Sequence, residues 1–263
     1  LSALNGTGVT TTEKDRNQYA MGSYFGRVNY DYNSKYLFEA QGRYDGSSKF
    51  DRANRWNFFY GVSGGWRISE ESLVKDLNIF NEFKLRASYG IVGNQLGVDN
   101  YDGQQLYNQF TATGPYLGTG RTSYITTNGR LVSYDRTWER IHNYNVAVDF
   151  SLLKNRLSGT LERFIKKNNN MFLEQQYPAM LGATAPQANI GKFKSNGWDA
   201  VLNWNDRIGD FSYNIGGVLT LAETKIVDFG GQNLITQGGL IANLESYPLN
   251  SIFGLQYDGR IQT

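Results

Sequence analysis

One histidine stands in this sequence, His142, and no cysteine accompanies it. A nucleophilic triad would have to be assembled around that imidazole, which must carry the proton between hydroxyl and carboxylate. Nothing beside it supplies metal-ligand spacing, so His142 reads as a structural residue where Ile141 and Tyr144 begin a strand, near an outer aromatic girdle. The lack of cysteine removes disulfides, thiolate metal sites and a thiol nucleophile together. Asp149, Glu162 and Asp199 have the chemistry for acid–base attack on a glycosidic bond, yet no motif fixes two of them at a catalytic separation. Asp99-Asn100-Tyr101-Asp102-Gly103 offers oxygens and a glycine without the spacing or distal glutamate of a calcium loop. Gly118-Thr119-Gly120 lacks the third glycine and the strand-to-helix setting of a dinucleotide loop. Asp45-Gly46-Ser47-Ser48 and Asp258-Gly259 are turn compositions. The expectation is no enzyme, no metal and no cofactor.

Recognition fits the residues better than catalysis. Between Ile91 and Thr137 lie Tyr101, Tyr107, Phe110, Tyr116 and Tyr124, interleaved with Asn, Gln, Thr and Gly. Aromatic faces stack on sugar rings or peptide side chains, and amides bond hydroxyls or backbone groups. These five are the candidate substrate-binding residues; packing of a long loop on its neighbours is the competing explanation for each. A formal charge of +2 supplies no basic field for nucleic acid.

The elements that must carry this loop are long strands. Tyr (18), Phe (15), Trp (5) and Gly (30) are abundant while Pro (4) is rare, which suits extended structure. No apolar run approaches the ~20 residues of a transmembrane helix, a test that barrel strands escape because they are apolar only at alternate positions. Tyr24, Gly26, Val28, Tyr30 and Tyr32 share one face, against Phe25, Arg27, Asn29 and Asp31. After Asn33-Ser34-Lys35, Tyr36, Phe38, Ala40, Gly42 and Tyr44 share a face, against Leu37, Glu39, Gln41, Arg43 and Asp45. Pairing Tyr32 with Tyr36 sets Tyr30 beside Phe38, Val28 beside Ala40, Gly26 beside Gly42 and Tyr24 beside Tyr44. Aromatic pairs then close both ends of an uncharged band. Its strand is about 26 Å long and, tilted, covers roughly 20 Å of height.

The pattern recurs over Trp56–Ile68, Phe83–Tyr89, Tyr144–Phe150, Leu157–Leu161 (with Arg163 breaking the face near the strand's far end), Trp198–Trp204 and Phe211–Leu221. The expectation is all-β: about eight up-and-down antiparallel strands of a transmembrane barrel wall. Short links at Asn33–Lys35, Leu152–Arg156 and Asn205–Asp210 alternate with long ones at Asp45–Arg55, Ile91–Thr137, Lys166–Lys192 and beyond Ala222, as periplasmic turns alternate with extracellular loops. Glu70–Glu82 is the long exception on the short side, where Ser69 is placed to cap a helical turn. Gly61, Gly64 and Gly65 would permit bending or close approach of another backbone. A soluble β-sandwich would instead show shorter strands and an inner face rich in Leu, Ile and Val.

Several blocks then resemble the SusC/RagA family of TonB-dependent outer-membrane transporters. Ser23-Tyr24-Phe25-Gly26-Arg27-Val28-Asn29-Tyr30 is similar to that family's SYFGRVNY strand, and Arg43-Tyr44-Asp45-Gly46-Ser47-Ser48-Lys49-Phe50 to its DGSSRF segment, with Lys49 in place of arginine. Asn54-Arg55-Trp56 and Gly65-Trp66-Arg67-Ile68-Ser69-Glu70-Glu71 follow, then Lys84-Leu85-Arg86-Ala87-Ser88-Tyr89-Gly90 with Gly93-Asn94-Gln95. Asn155-Arg156-Leu157-Ser158-Gly159, Asn189-Ile190-Gly191 with Asn196-Gly197, and Tyr247-Pro248-Leu249 through Tyr257-Asp258-Gly259 complete the order. The resemblance implies a plugged barrel of about 22 strands, with residues 1–263 forming a partial barrel domain, roughly a third of the wall. Signal peptide, plug, TonB box and closing strands are then expected outside this stretch, which opens at Leu1 and stops within Arg260-Ile261-Gln262-Thr263. It also implies import of an oligosaccharide or peptide across the outer membrane, driven by TonB under a SusD-type lipoprotein lid. The alternatives are a siderophore or cobalamin receptor, and a non-transporting surface β-domain or adhesin.

Overall fold

Alternation at period two and left-handed turn residues generate one dominant antiparallel sheet. The computed structural model describes residues 17–254 except 119, 128, 130, 175–177, 179, 181, 184, 233, 237–240 and 253; Thr119, Tyr257-Asp258-Gly259 and both chain ends lie outside the described residues. In chain order the strands are β1 (Met21–Tyr32), β2 (Tyr36–Ser47), β3 (Trp56–Arg67), β4 (Phe80–Asn94), β5 (Tyr107–Phe110), β6 (Tyr116–Leu117), β7 (Gly120–Arg121), β8 (Tyr124–Thr127), β9 (Glu139–Leu152), β10 (Leu157–Glu174), β11 (Gln187–Ile208), β12 (Phe211–Asp228), β13 (Leu234–Thr236), β14 (Ile241–Asn243) and β15 (Ser251–Ile252). The main sheet runs β1-β2-β3-β4-β9-β10-β11-β12, so each long strand pairs with the next. β5 with β8, β6 with β7, and β13-β14-β15 form small satellites.

The first hairpin has the register its sequence demands, from Tyr24↔Tyr44 to Tyr32↔Tyr36. Asn33 and Ser34 take positive φ (54° and 55°) and Lys35 N–H returns to Tyr32 O at 3.1 Å. The β9–β10 turn places Leu153, Lys154 and Asn155 in the left-handed region in succession, a conformation that costs non-glycine residues energy. Asn155 offsets it: its amide donates to Asn81 Oδ1 (3.1 Å) and its side chain accepts from Ser151 Oγ (2.8 Å).

Several expected boundaries change. The loop over 166–192 is mostly strand, because β10 runs 18 residues and β11 runs 22, leaving only 175–186 between them. Arg163 therefore lies in the first half of β10. β11 and β12 nearly meet, turning at Gly209 and Asp210. Ile68 leaves β3 for a 3-10 turn, Ile68–Glu70, that precedes the four-residue helix α1 (Ser72–Lys75). Ser69 caps nothing: Glu71 is the residue before α1, and Ser69 Oγ is buried without a partner among the described residues. Glu71 earns its place otherwise. Its carboxylate accepts from Tyr36 Oη (2.8 Å), Trp66 Nε1 (3.1 Å) and Lys35 Nζ (3.2 Å), tying the turn to two aromatics of the wall.

The aromatic ends of the strands do not follow a ladder row; they descend across it. At one end the belt passes from Tyr24, Tyr44 and Phe58 in β1–β3 to Tyr89 and Tyr144 in β4 and β9, then Trp198 in β11. Trp198 shares a row with Arg163, Val146, Ala87, Gly64, Phe38 and Tyr30, about six residues below Tyr24. At the other end the belt passes from Tyr32, Tyr36 and Trp66 to Phe83 and Phe150, then Trp204 and Tyr213, with a similar offset. An offset of about one residue per strand, with ~3.3 Å rise and ~4.8 Å between strands, is a lean of about 35°. Strands of membrane barrels lean by that amount.

Candidate functional site

Two faces and a rim emerge from this wall. The face carrying Lys84, Arg86, Asp149 and Glu162 is polar and bonded across strands. Arg86 Nε reaches Asp149 Oδ2 at 3.0 Å while its terminal nitrogen reaches Glu162 Oε2 at 2.8 Å. Thr160 Oγ1 donates to Asp149 Oδ1 at 2.9 Å, and Lys84 Nζ lies 3.9 Å from the same carboxylate. One guanidinium thus rivets β4, β9 and β10, and two of the acids that could have served as a glycosidase pair are engaged by it. A concavity of about 710 Å³ lies over this face, lined by Glu39, Gln41, Ser63, Lys84, Arg86 and Asn145 among others. Its floor is low because Gly61 pairs with Gly90 between β3 and β4.

Above that pair the β3–β4 ladder ends, although β2–β3 continues to Gly46↔Trp56 and β4–β9 to Asn94↔Glu139. Phe50, Phe59, Ile91, Val98 and Trp138 pack there as a buried cluster. Trp138 lies tilted at 39° against Phe50 at 5.1 Å, meets Phe59 edge-on at 5.6 Å and donates Nε1–H to Arg55 O (3.1 Å). A second concavity of about 830 Å³ adjoins the cluster, with Arg27, Arg43, Asp45 and Asn94 on its polar side.

The rim is held by two buried charges. Glu139 accepts from Asn94 Nδ2 (2.7 Å), Asn168 Nδ2 (3.1 Å) and Phe172 N–H (2.7 Å), joining β9 to β4 and β10. The register of β10 on β11 slips between Asn168 and Met171, just where Phe172 N–H turns toward that carboxylate. Arg136 is buried against Asp102, with Gln187 O at 3.3 Å and the Phe172 ring at 5.9 Å.

The five candidate aromatics are not gathered into one platform. Phe110 and Tyr124 pair across β5–β8 and stack at 5.0 Å and 15°. Tyr107 pairs with Thr127 on the opposite face of that hairpin. Tyr116 sits at the β6–β7 tip under Arg121 (5.2 Å). Tyr101 lies at the loop base, its hydroxyl accepting from Gln18 N–H (3.0 Å). Asp102, in the stretch with a calcium-like composition, is occupied by Arg136. His142 faces the aromatic side, its Nδ1 2.9 Å from Tyr89 Oη. Sequence reasoning missed Glu139 and Arg136. The only trace was an Arg-Thr-Trp-Glu run before a strand, polar residues flanking an aromatic that has to be buried.

The family model described as TonB dependent receptor-like, beta-barrel matches residues 1–262. The chain belongs to that family. Among curated TonB-dependent receptors, it is 33% identical to TonB-dependent receptor P39 of Formosa agariphila over 95% of its own length and 24% of that protein. It is also 33% identical to TonB-dependent receptor SusC of Bacteroides thetaiotaomicron over 73% of its length and 20% of that protein. Its fold matches a solved structure of the RagAB peptide importer in the closed-closed state with a TM-score of 0.76 and 25% identity, over 89% of this chain and 25% of that one. The chain thus spans about a quarter of the length of these TonB-dependent receptors. The family is one of outer-membrane receptors and transporters, and this chain is a SusC/RagA-like part of such a barrel.

Proposed function

We propose that this chain is wall and extracellular rim of a SusC-like importer that carries oligosaccharides or peptides across the outer membrane of a Gram-negative cell. The observation that carries the proposal is a leaning, double-belted wall whose polar face is cross-linked and whose rim bears exposed aromatics, in a chain similar to SusC and to the RagAB peptide importer. In this reading TonB supplies the energy and a SusD-like lipoprotein covers the mouth, while no catalytic step is required of these residues. Outer-membrane lipid contacts the belted face. Phe110 and Tyr124 offer the stacked surface on which a sugar ring or a peptide side chain would sit, with Tyr107, Tyr116 and Tyr101 as separate contacts.

The test is uptake of labelled oligosaccharides and peptides by cells carrying the full-length protein, with TonB intact or deleted. TonB-dependent uptake of one of these, reduced by Phe110→Ala with Tyr124→Ala, is the expected result. Uptake restricted to ferric siderophores or cobalamin, or surface binding without uptake, overturns it.

A further inference from the structure

Above the extracellular belt the lipid-facing side does not fade into mixed polarity; it becomes cationic on one sector. His142 pairs with Lys167, Lys167 with Lys194, and Lys194 with Lys225, so one histidine and three lysines meet in one unbroken row across β9, β10, β11 and β12. All four share the face of Tyr144 and Trp198 by register. Arg140 lies two residues beyond His142 on the same face, and Arg163 stacks on Trp198 at 5.3 Å. Lys167 leans over Tyr144 at 5.5 Å. Among the described residues, Lys167, Lys194 and Lys225 make no ion pair within 4.0 Å; of the acids on this face of β9–β12, Glu223 lies two residues from Lys225 toward the belt, Asp228 is paired with Lys192, and Asp206 is paired with Arg156 at the opposite end. Directly opposed like charges disfavour a sheet, so an external anion beside this row would stabilise it.

The position identifies that anion. Measured from Trp198 and Tyr144 along strands leaning about 35°, Arg163 lies about 3 Å below the belt, and His142, Lys167, Lys194 and Lys225 stand about 5, 8, 11 and 14 Å above it. The headgroup layer occupies that height. The same level on β1–β4 carries Gly22, Gly46, Trp56, Ile91 and Gly93, so the charge is confined to half of the wall. We propose that this row is a binding site for a phosphate-bearing glycolipid headgroup of the outer leaflet, its phosphates held by Lys167, Lys194 and Lys225. The aromatic belt beneath, with Trp198 and Tyr144, receives the upper acyl chains.

The proposal rests on the barrel reading of the belted face but not on what the importer carries. The full-length protein in mild detergent is presented with bis-phosphorylated lipid A, its dephosphorylated form, phosphatidylethanolamine or inorganic phosphate, and bound lipid is read by native mass spectrometry. Phosphorylated lipid A is expected to bind in preference to the other lipids and to resist displacement by millimolar phosphate. Lys167→Gln with Lys194→Gln and Lys225→Gln should weaken it roughly fivefold per lysine, about a hundredfold together, whereas Lys154→Gln at the opposite end changes nothing. Should the triple variant fail to fold, shown by loss of heat-modifiable migration, the wild-type comparison of phosphorylated with dephosphorylated lipid decides. Equal binding of those two lipids, undiminished binding by a folded triple variant, or displacement by free phosphate overturns the proposal. Loss of barrel migration in the wild type would instead remove the barrel reading itself.

Discussion

Glu139→Gln isolates what one buried carboxylate does for the rim. Glu139 is 6% exposed and no cation pairs with it in the described structure; three N–H donors from β4 and β10 satisfy it. Both donors at Oε2 are side-chain amides, while Phe172 N–H meets Oε1. Glutamine keeps the shape but carries one oxygen. Placed with that oxygen on the two asparagines, it points an NH2 at Phe172 N–H; flipped, it points one at both asparagines. Hydrogen bonds to a charged acceptor contribute about 1.5–3 kcal/mol each, and an orphaned buried donor costs about 1–3 kcal/mol. The Gln variant therefore lowers the local opening free energy of this corner by about 2–4 kcal/mol. Amide exchange in peptides covering Asn168–Glu174 should then accelerate about 30- to 900-fold in the regime where exchange follows the opening equilibrium. Glu39→Gln, a change at a half-buried position of β2 away from this corner, serves as control. Unchanged protection over Asn168–Glu174 in a folded Glu139→Gln protein would refute the reasoning, because it would mean that the carboxylate does not hold β10.

Two further outcomes follow from the same contacts. Hydrogen bonds from Tyr36, then Trp66 and Lys35, hold the Glu71 carboxyl below its ordinary value; its stabilising effect is complete above the unfolded-state value of about 4.3 and disappears as pH falls through the depressed folded-state value. Unfolding midpoints followed from pH 6 downward should decline less steeply in Glu71→Gln, and parallel curves would rule the clamp out. Gly93→Ala sets a methyl into the Phe59 ring, which Trp138 already confines; denaturant titration should show a loss of about 1–3 kcal/mol, and a neutral result would mean the cluster is looser than its packing indicates.

The wall was legible in the sequence where lipid dictates alternate residues. The register from Tyr24 to Tyr44 follows from the sequence because one face has to be apolar and the turn has two residues suited to positive φ. Legibility stopped at the belt. β10 and β11 continue past Ile165 and Trp198, yet their outward residues there are Lys167, Asn196 and Lys194, so the periodic signal vanishes while the backbone ladder persists. Ser69 had the composition of a cap, but the chain chose a 3-10 turn that left Glu71 facing the aromatics. The rim was least legible. Glu139, Asn168 and Phe172 are separated by 33 positions at most, and nothing local distinguishes a clasped glutamate from a solvated one.

The lean of the strands also fixes how wide an opening they can surround. Measured around a rim, each leaning strand occupies about 5.9 Å, its ~4.8 Å spacing divided by the cosine of about 35°. The eight strands therefore span about 47 Å of circumference where upright strands would span about 38 Å. That gain in girth comes without an added residue. A register slip that straightened β4 against β9 would narrow the bore and, in the same motion, drop Tyr89 and Tyr144 out of the belt.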